Sequence, residues 1–248
     1  MNTKFQQTSL CWICRKNPAT TGEHLMKRSD LKEEGFSRSF CKHSVSGIDR
    51  IQGNRSDKLK GKTLICANCN NNLTQKHDKD WEKLSSFLRK KEIEVGKKIN
   101  LVKLFPGRIH AAMLNVHLYF AKQLGTYIQE KKNSHLLIDL EILSNAILNN
   151  EECPYLYISI CEKANDNPGL LPLYCSMDNF KKNHRIVFAG YYYNMSNFSI
   201  RVIFINYETP LQAHSLNSWY PSTISKYIKI IRADDLSLIV QKIEKKLL

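Results

Sequence analysis

Two Cys-x-x-Cys pairs, Cys11/Cys14 and Cys66/Cys69, constrain this chain more than any other feature. Two cysteines spaced in this way hold one metal ion only from a tight turn. Two such turns that share an ion are clamped together across the intervening 51 residues. Four thiolates complete a tetrahedral zinc and leave no open position, so the reading is a structural Zn2+ rather than a catalytic one. A redox dithiol at Cys11-Trp12-Ile13-Cys14 needs a thioredoxin-like βαβ context, which the pattern lacks. Cys41, Cys153, Cys161 and Cys175 have no ligand spacing and read as buried or free thiols.

The charge is distributed to match. Formal net charge is +14. Residues 1–100 hold 21 Lys/Arg against 11 Asp/Glu, a balance of +10, and residues 101–248 hold 16 against 12, a balance of +4. An anionic partner, DNA with RNA not set aside, is therefore expected to meet the cysteine-bearing part of the chain. Met1 to Leu10 carry no apolar signal segment, and no run approaches the length of a membrane helix, so the expected setting is cytoplasmic with no membrane partner.

The pattern along the chain predicts an α+β protein. A helix is expected over Lys27–Glu34, ended by Gly35. Residues 35–62 are polar, with seven basic side chains from Arg38 to Lys62, and read as a loop that contacts phosphate. Lys62–Cys66 reads as a strand. Leu73, His77, Trp81, Leu84 and Leu88 form a helical stripe that runs to about Val95. Phe105-Pro106-Gly107 punctuates the middle, and a boundary near residue 100 divides an N-terminal unit (1–100) from a larger α+β domain (101–248). In the latter, Ile109 to Ile128 places one apolar face on a long helix, and Leu136–Leu148 reads as another. Tyr155–Cys161, Leu171–Cys175, Ile186–Tyr193 and Phe198–Asn206 are strands of a mostly antiparallel sheet, and Asp234/Asp235 cap a last helix through Leu247. Residues 101–248 carry no catalytic motif and offer a surface for DNA, a partner protein, a ligand or a homodimer contact.

Between the cysteine pairs lies Glu23-His24, and Asn70 follows Cys69 directly. Phosphodiester hydrolysis needs a base near neutral pH and a divalent cation beside the scissile phosphate. His24 suits the first. The Glu23 carboxylate and the Asn70 amide oxygen suit Mg2+ or Mn2+. His77, seven residues after Asn70, shares its helix face and is a further candidate, although it also lies on the apolar stripe. His110 and His117 have no ligand partner near them in sequence and read as structural.

In this order the motifs resemble the HNH (ββα-metal) endonuclease family over residues 11 to 80. The matching features are Cys11/Cys14, Glu23-His24, the strand at Leu64-Ile65, and Cys66-Ala67-Asn68-Cys69-Asn70 at the head of a helix. The resemblance implies a zinc-stabilised ββα-metal unit with His24 as general base and Glu23 and Asn70 on the catalytic metal. It also implies cleavage to a 5′-phosphate and a 3′-hydroxyl. Restriction or anti-phage defence is a setting that such nucleases serve. The chain departs from the pattern in three places. The strand position that orients the base, near Gly61, holds no asparagine, and the nearest earlier one is Asn54. Leu25-Met26-Lys27 replaces the usual proline after the histidine, and glutamate stands for aspartate. A zinc-stabilised nucleic-acid-binding module without catalysis is the alternative.

Overall fold

The computed structural model describes residues 10–24, 26–35, 40–44, 47–51, 53, 60–130, 140–164, 169–170, 174–180, 184–206, 216–236 and 238–239, with side chains described except at 40–44, 47–51, 62–64, 130, 169–170, 174–180 and 184–187. The mixture of helices and antiparallel sheets is the expected α+β class.

The N-terminal part is built on a short strand pair. β1 (Thr21–His24) runs antiparallel to β4 (Lys60–Ile65), with Thr21 opposite Ile65 and His24 opposite Lys60. An irregularity between Gly22 and His24 re-aims the end of β1, as bulges do. Between them α1 (Arg28–Glu33) ends at Gly35, whose φ of +82° suits glycine, close to the expected limits. The basic stretch read as a loop contains a hairpin instead, β2 (Phe40–Ser44) with β3 (Gly47–Ile51). Phe40, Ile48 and Ile51 supply strand-forming residues that the surrounding charges obscured. After Cys69 a π-helical turn (Cys69–Leu73) precedes α2 (Gln75–Arg89). The helix stops at Arg89, short of the expected Val95, and residues 98–100 form β5 (Lys98–Asn100), which pairs with β11 (Tyr227–Lys229).

The large sheet has the order β6–β10–β9–β7, with β8 also on β9: β6 (Leu156–Cys161), β7 (Gly169–Leu170), β8 (Tyr174–Phe180), β9 (His184–Asn194) and β10 (Ser199–Asn206). Two of the expected strands, with the polar turn Asn194-Met195-Ser196-Asn197 between them, form the β9–β10 hairpin, with Ser199 opposite Asn194. Period-two alternation sorts its side chains into two cores. Leu156, Ile158, Ile160, Tyr191, Tyr193, Ile200, Val202 and Phe204 join the main core, while Tyr157, Cys161, Tyr192, Ile203 and Ile205 meet Leu236 and Ile239 on the other face.

The main core continues from the cysteine knuckles through Trp81 and Phe120 to Ile230, across residue 100. Its axis is α3 (Ile109–Glu130), about 33 Å long at 1.5 Å per residue. The expected apolar face packs into the core through Ala112, Met113, Val116, Phe120, Leu124 and Ile128. Leu118, Tyr119, Ala121, Lys122, Gln123 and Thr126 are buried too, since α2, β4, α4 (Glu141–Asn149) and β6 all pack against α3. At Gly125 a Cβ would lie 2.2 Å from the Trp12 ring, so the absent side chain lets α3 reach the first knuckle. Asp30 is wholly buried and accepts from Trp81 Nε1 (2.8 Å), Ser85 Oγ (2.9 Å), Arg89 Nη1 (2.8 Å) and Tyr193 Oη (2.6 Å), which joins α1 and α2 to the large sheet. Residues 1–9, the expected helix start at 136–139, residues 165–168 and 171–173, Asn54, and the expected helix beyond Ile239 lie outside the described residues. Among the described residues no helix is long and apolar enough to cross a membrane.

Candidate metal centre and the adjoining polar site

The two knuckles meet. The ligand sulfurs of Cys11, Cys14, Cys66 and Cys69 all lie within 4.8 Å of one another, and Cys14 Sγ is 3.7 Å from Cys66 Sγ. A zinc tetrahedron with bonds of about 2.3 Å sets its sulfurs about 3.8 Å apart, so the donor set and the geometry both fit a structural zinc. In the first knuckle Arg15 N donates to Cys11 O (2.8 Å) and Cys11 N to Asn17 O (2.9 Å), with Arg15 in the left-handed region at φ 54°. In the second, Cys69 N donates to Cys66 Sγ at 3.4 Å. Burial works against a Cys14 thiolate, but hydrogen bonds from the Asn17 and Lys16 backbone outweigh it and bring the thiol down to about 7. Burial and the neighbouring thiols push Cys69 up, and burial pushes Cys11 up. The raised Cys11 and Cys69 thiols keep their protons until a divalent cation replaces them. Cys153 and Cys161 are the buried free thiols expected, raised by burial to about 11 and about 12, while the side chains of Cys41 and Cys175 lie outside the described residues.

The clamp sets β1 beside the turn that carries Asn70. Asn70 Nδ2 donates to Thr21 Oγ1 (3.3 Å), and Thr21 Oγ1 donates to Ile65 O (2.7 Å), so the turn, β1 and β4 are tied at one place. Among the described residues Asn70 Oδ1 accepts no hydrogen bond. Glu23, two residues along β1, meets a partner that the sequence reading missed. Lys122 of α3 has no solvent exposure and sets its Nζ 3.0 Å from Glu23 Oε1, 2.9 and 3.1 Å from the Asp78 carboxylate, and 3.3 Å from Thr74 Oγ1. Burial opposes the ammonium, but the Glu23 and Asp78 charges win and hold its pKa above the usual lysine range. Burial pushes the Glu23 carboxyl up, with Lys122 acting against that shift. The signal for Lys122 was a single cation within the apolar run Leu118 to Leu124, and helical spacing placed it opposite the stripe.

His24 is half-buried at the end of β1, and its carbonyl accepts from Gln123 Nε2 (3.2 Å). The residue across from it is Lys60, next to Gly61, so no asparagine side chain faces the histidine from that strand position. His77 is fully buried on α2, and neither ring nitrogen has a hydrogen-bond partner among the described residues. Burial, with the charges of Lys76 and Lys122, lowers it to about 4, and it makes no hydrogen bond to Glu23, His24 or Asn70. His110 Nδ1 lies 3.0 Å from Pro221 O, and His117 Nε2 accepts from Cys153 N (3.1 Å), both structural contacts as expected.

Comparison with protein-family models, with curated proteins and with solved structures finds no match for this chain.

Proposed function

We propose that the protein is a metal-dependent nuclease of the ββα-metal type that hydrolyses phosphodiester bonds in DNA. The observation that carries this reading is the junction just described. The four cysteines converge, β1 with Glu23 and His24 lies antiparallel to β4, and β4 leads through Cys66–Cys69 to Asn70, which bonds back to β1. In this reading Glu23 and Asn70 hold the catalytic ion by a carboxylate and an amide oxygen, a donor set that suits Mg2+ or Mn2+. Such an ion supplies neutralisation of the charge on phosphate and leaving oxygen. His24 takes a proton from water. The hydroxide oxygen bonds to phosphorus as the bond to the 3′-oxygen breaks, and that oxygen leaves as a hydroxyl after gaining a proton, with the phosphate on the 5′ end. The basic N-terminal half attracts the polyanion.

A binding module without catalysis is the second reading. It is favoured by the Glu23 carboxylate being engaged by Lys122 and by Lys60, not an asparagine, standing opposite His24. Supercoiled plasmid and a folded RNA are incubated with the pure protein, with and without Mg2+ or Mn2+. The nuclease reading expects metal-dependent cleavage of plasmid, reduced about 100-fold or more in His24→Ala, since a general base contributes about 10²–10⁴. No cleavage by the parent leaves the binding module. Unchanged cleavage by His24→Ala removes the histidine from its role.

A further inference from the structure

We infer that the β5–β11 ribbon is a second DNA-contacting surface, docking on the duplex phosphate backbone away from the Glu23–His24 site; this rests on the nucleic-acid reading above. The ribbon pairs Lys98 with Lys229, Ile99 with Ile228 and Asn100 with Tyr227. Ile99 and Ile228 are buried, so alternation places Lys98, Asn100, Tyr227 and Lys229 on the outer face, where Tyr227 is 50% exposed. Lys226 and Lys103 are exposed beside it, and Leu101 N donates to Lys226 O (2.9 Å).

Three features select a polyanion as the occupant. First, Lys98 and Lys229 stand directly opposite each other, a like-charge arrangement that disfavours the free ribbon and that an intervening phosphate reverses. Second, among the described residues none of Lys98, Lys103, Lys226 and Lys229 forms an ion pair, while the neighbouring carboxylates Glu92 and Glu94 are both held by Lys97 at 2.8 and 3.0 Å. Third, the outer face offers donors. Asn100 Oδ1 is used by Val102 N (2.9 Å), Asn100 pairs with the exposed Tyr227, and amide N–H and phenol O–H groups are common phosphate donors. The ribbon is also rigidly mounted. Gly96 N donates to Ile230 O and Ile230 N to Lys97 O (both 2.9 Å), and Ile231 then bridges to β6 at Cys161. Its neighbour in the fold is the start of α3, where His110 meets Pro221, and Lys122 lies about 18 Å further along that helix at 1.5 Å per residue.

The test is the affinity of a 20-base-pair duplex, read by fluorescence anisotropy from 50 to 300 mM salt without added Mg2+ or Mn2+, for the parent and for Lys98→Gln/Lys229→Gln. Each phosphate contact contributes about 0.9 to the slope of log affinity against log salt. The double variant should lose about 2 from that slope and bind roughly 10- to 100-fold more weakly at 0.1 M salt, with unchanged melting temperature and zinc content. Adding Tyr227→Phe should weaken binding further. A slope and affinity equal to the parent's overturn the ribbon assignment and leave the nuclease reading standing, whereas a parent that does not bind duplex at 50 mM salt overturns both.

Discussion

Lys122→Met replaces a buried ammonium with an apolar side chain of similar length and leaves Glu23 and Asp78 facing one another without a cation. Removing one partner of a buried ion pair costs about 3–5 kcal/mol. Glu23 and Asp78 keep 13% and 20% of their side-chain surface, so water offsets part of the loss and the lower figure, about 3 kcal/mol, applies. For a chain of this size that lowers the melting temperature by about 6–12 °C at pH 7. The pH dependence has a definite sign. The Glu23 carboxyl is raised in the folded state by burial, so its contribution favours folding at low pH and is lost as pH rises through the folded value. Lys122 offsets that cost in the parent. Without it the deficit should be largest at pH 7 and shrink toward pH 4.5, and Glu23→Gln added to Lys122→Met should recover part of the loss. Calorimetry of the three variants at both pH values is the assay. A Lys122→Met melting temperature within about 1 °C of the parent at pH 7 refutes the role of the ion trio, and an equal deficit at both pH values shows that packing, not charge, is responsible.

Gly125→Ala should destabilise by about 1–3 kcal/mol despite alanine's better helix propensity, because its Cβ would lie 2.2 Å from the Trp12 ring. Adding Trp12→Leu should make the alanine cheaper than it is alone, which urea titration of the four-member cycle measures. Burial lowers His117 to about 3 and His77 to about 4, below an unfolded histidine near 6.5. A histidine depressed in this way contributes stability that is full above pH 6.5 and is lost as pH falls through the folded value, so the protein should weaken steadily between pH 6.5 and 4. In His117→Gln, which cannot take that proton, the acid limb of a stability-against-pH curve should be flatter; an identical slope would remove His117 from the account.

The cysteine spacing showed which parts of the chain meet, because a shared tetrahedral site permits little else. The strands of the large sheet were legible from runs such as Ser199–Asn206 and from the polar turn before them. The β2–β3 hairpin was hidden by its charges, and β5 and β11 are three residues each and pair across 126 positions, beyond any local signal. Lys122 was illegible for a different reason. Periodicity assigns a polar residue opposite an apolar stripe to solvent, and nothing local reveals that α3 is buried all round from Asn115 to Thr126, with the N-terminal unit supplying Glu23 and Asp78 as partners. His77 is buried on α2, as its place on the Leu73–Leu88 stripe implies.

The cysteine clamp brings β1 to the Asn70 turn and underlies the candidate site. Metal analysis of the chain purified without added zinc and without chelator tests it most directly. The account predicts one tightly held zinc per chain, lost in Cys66→Ser together with a lower melting temperature. A parent chain with no bound metal, or Cys66→Ser with undiminished zinc, would contradict it.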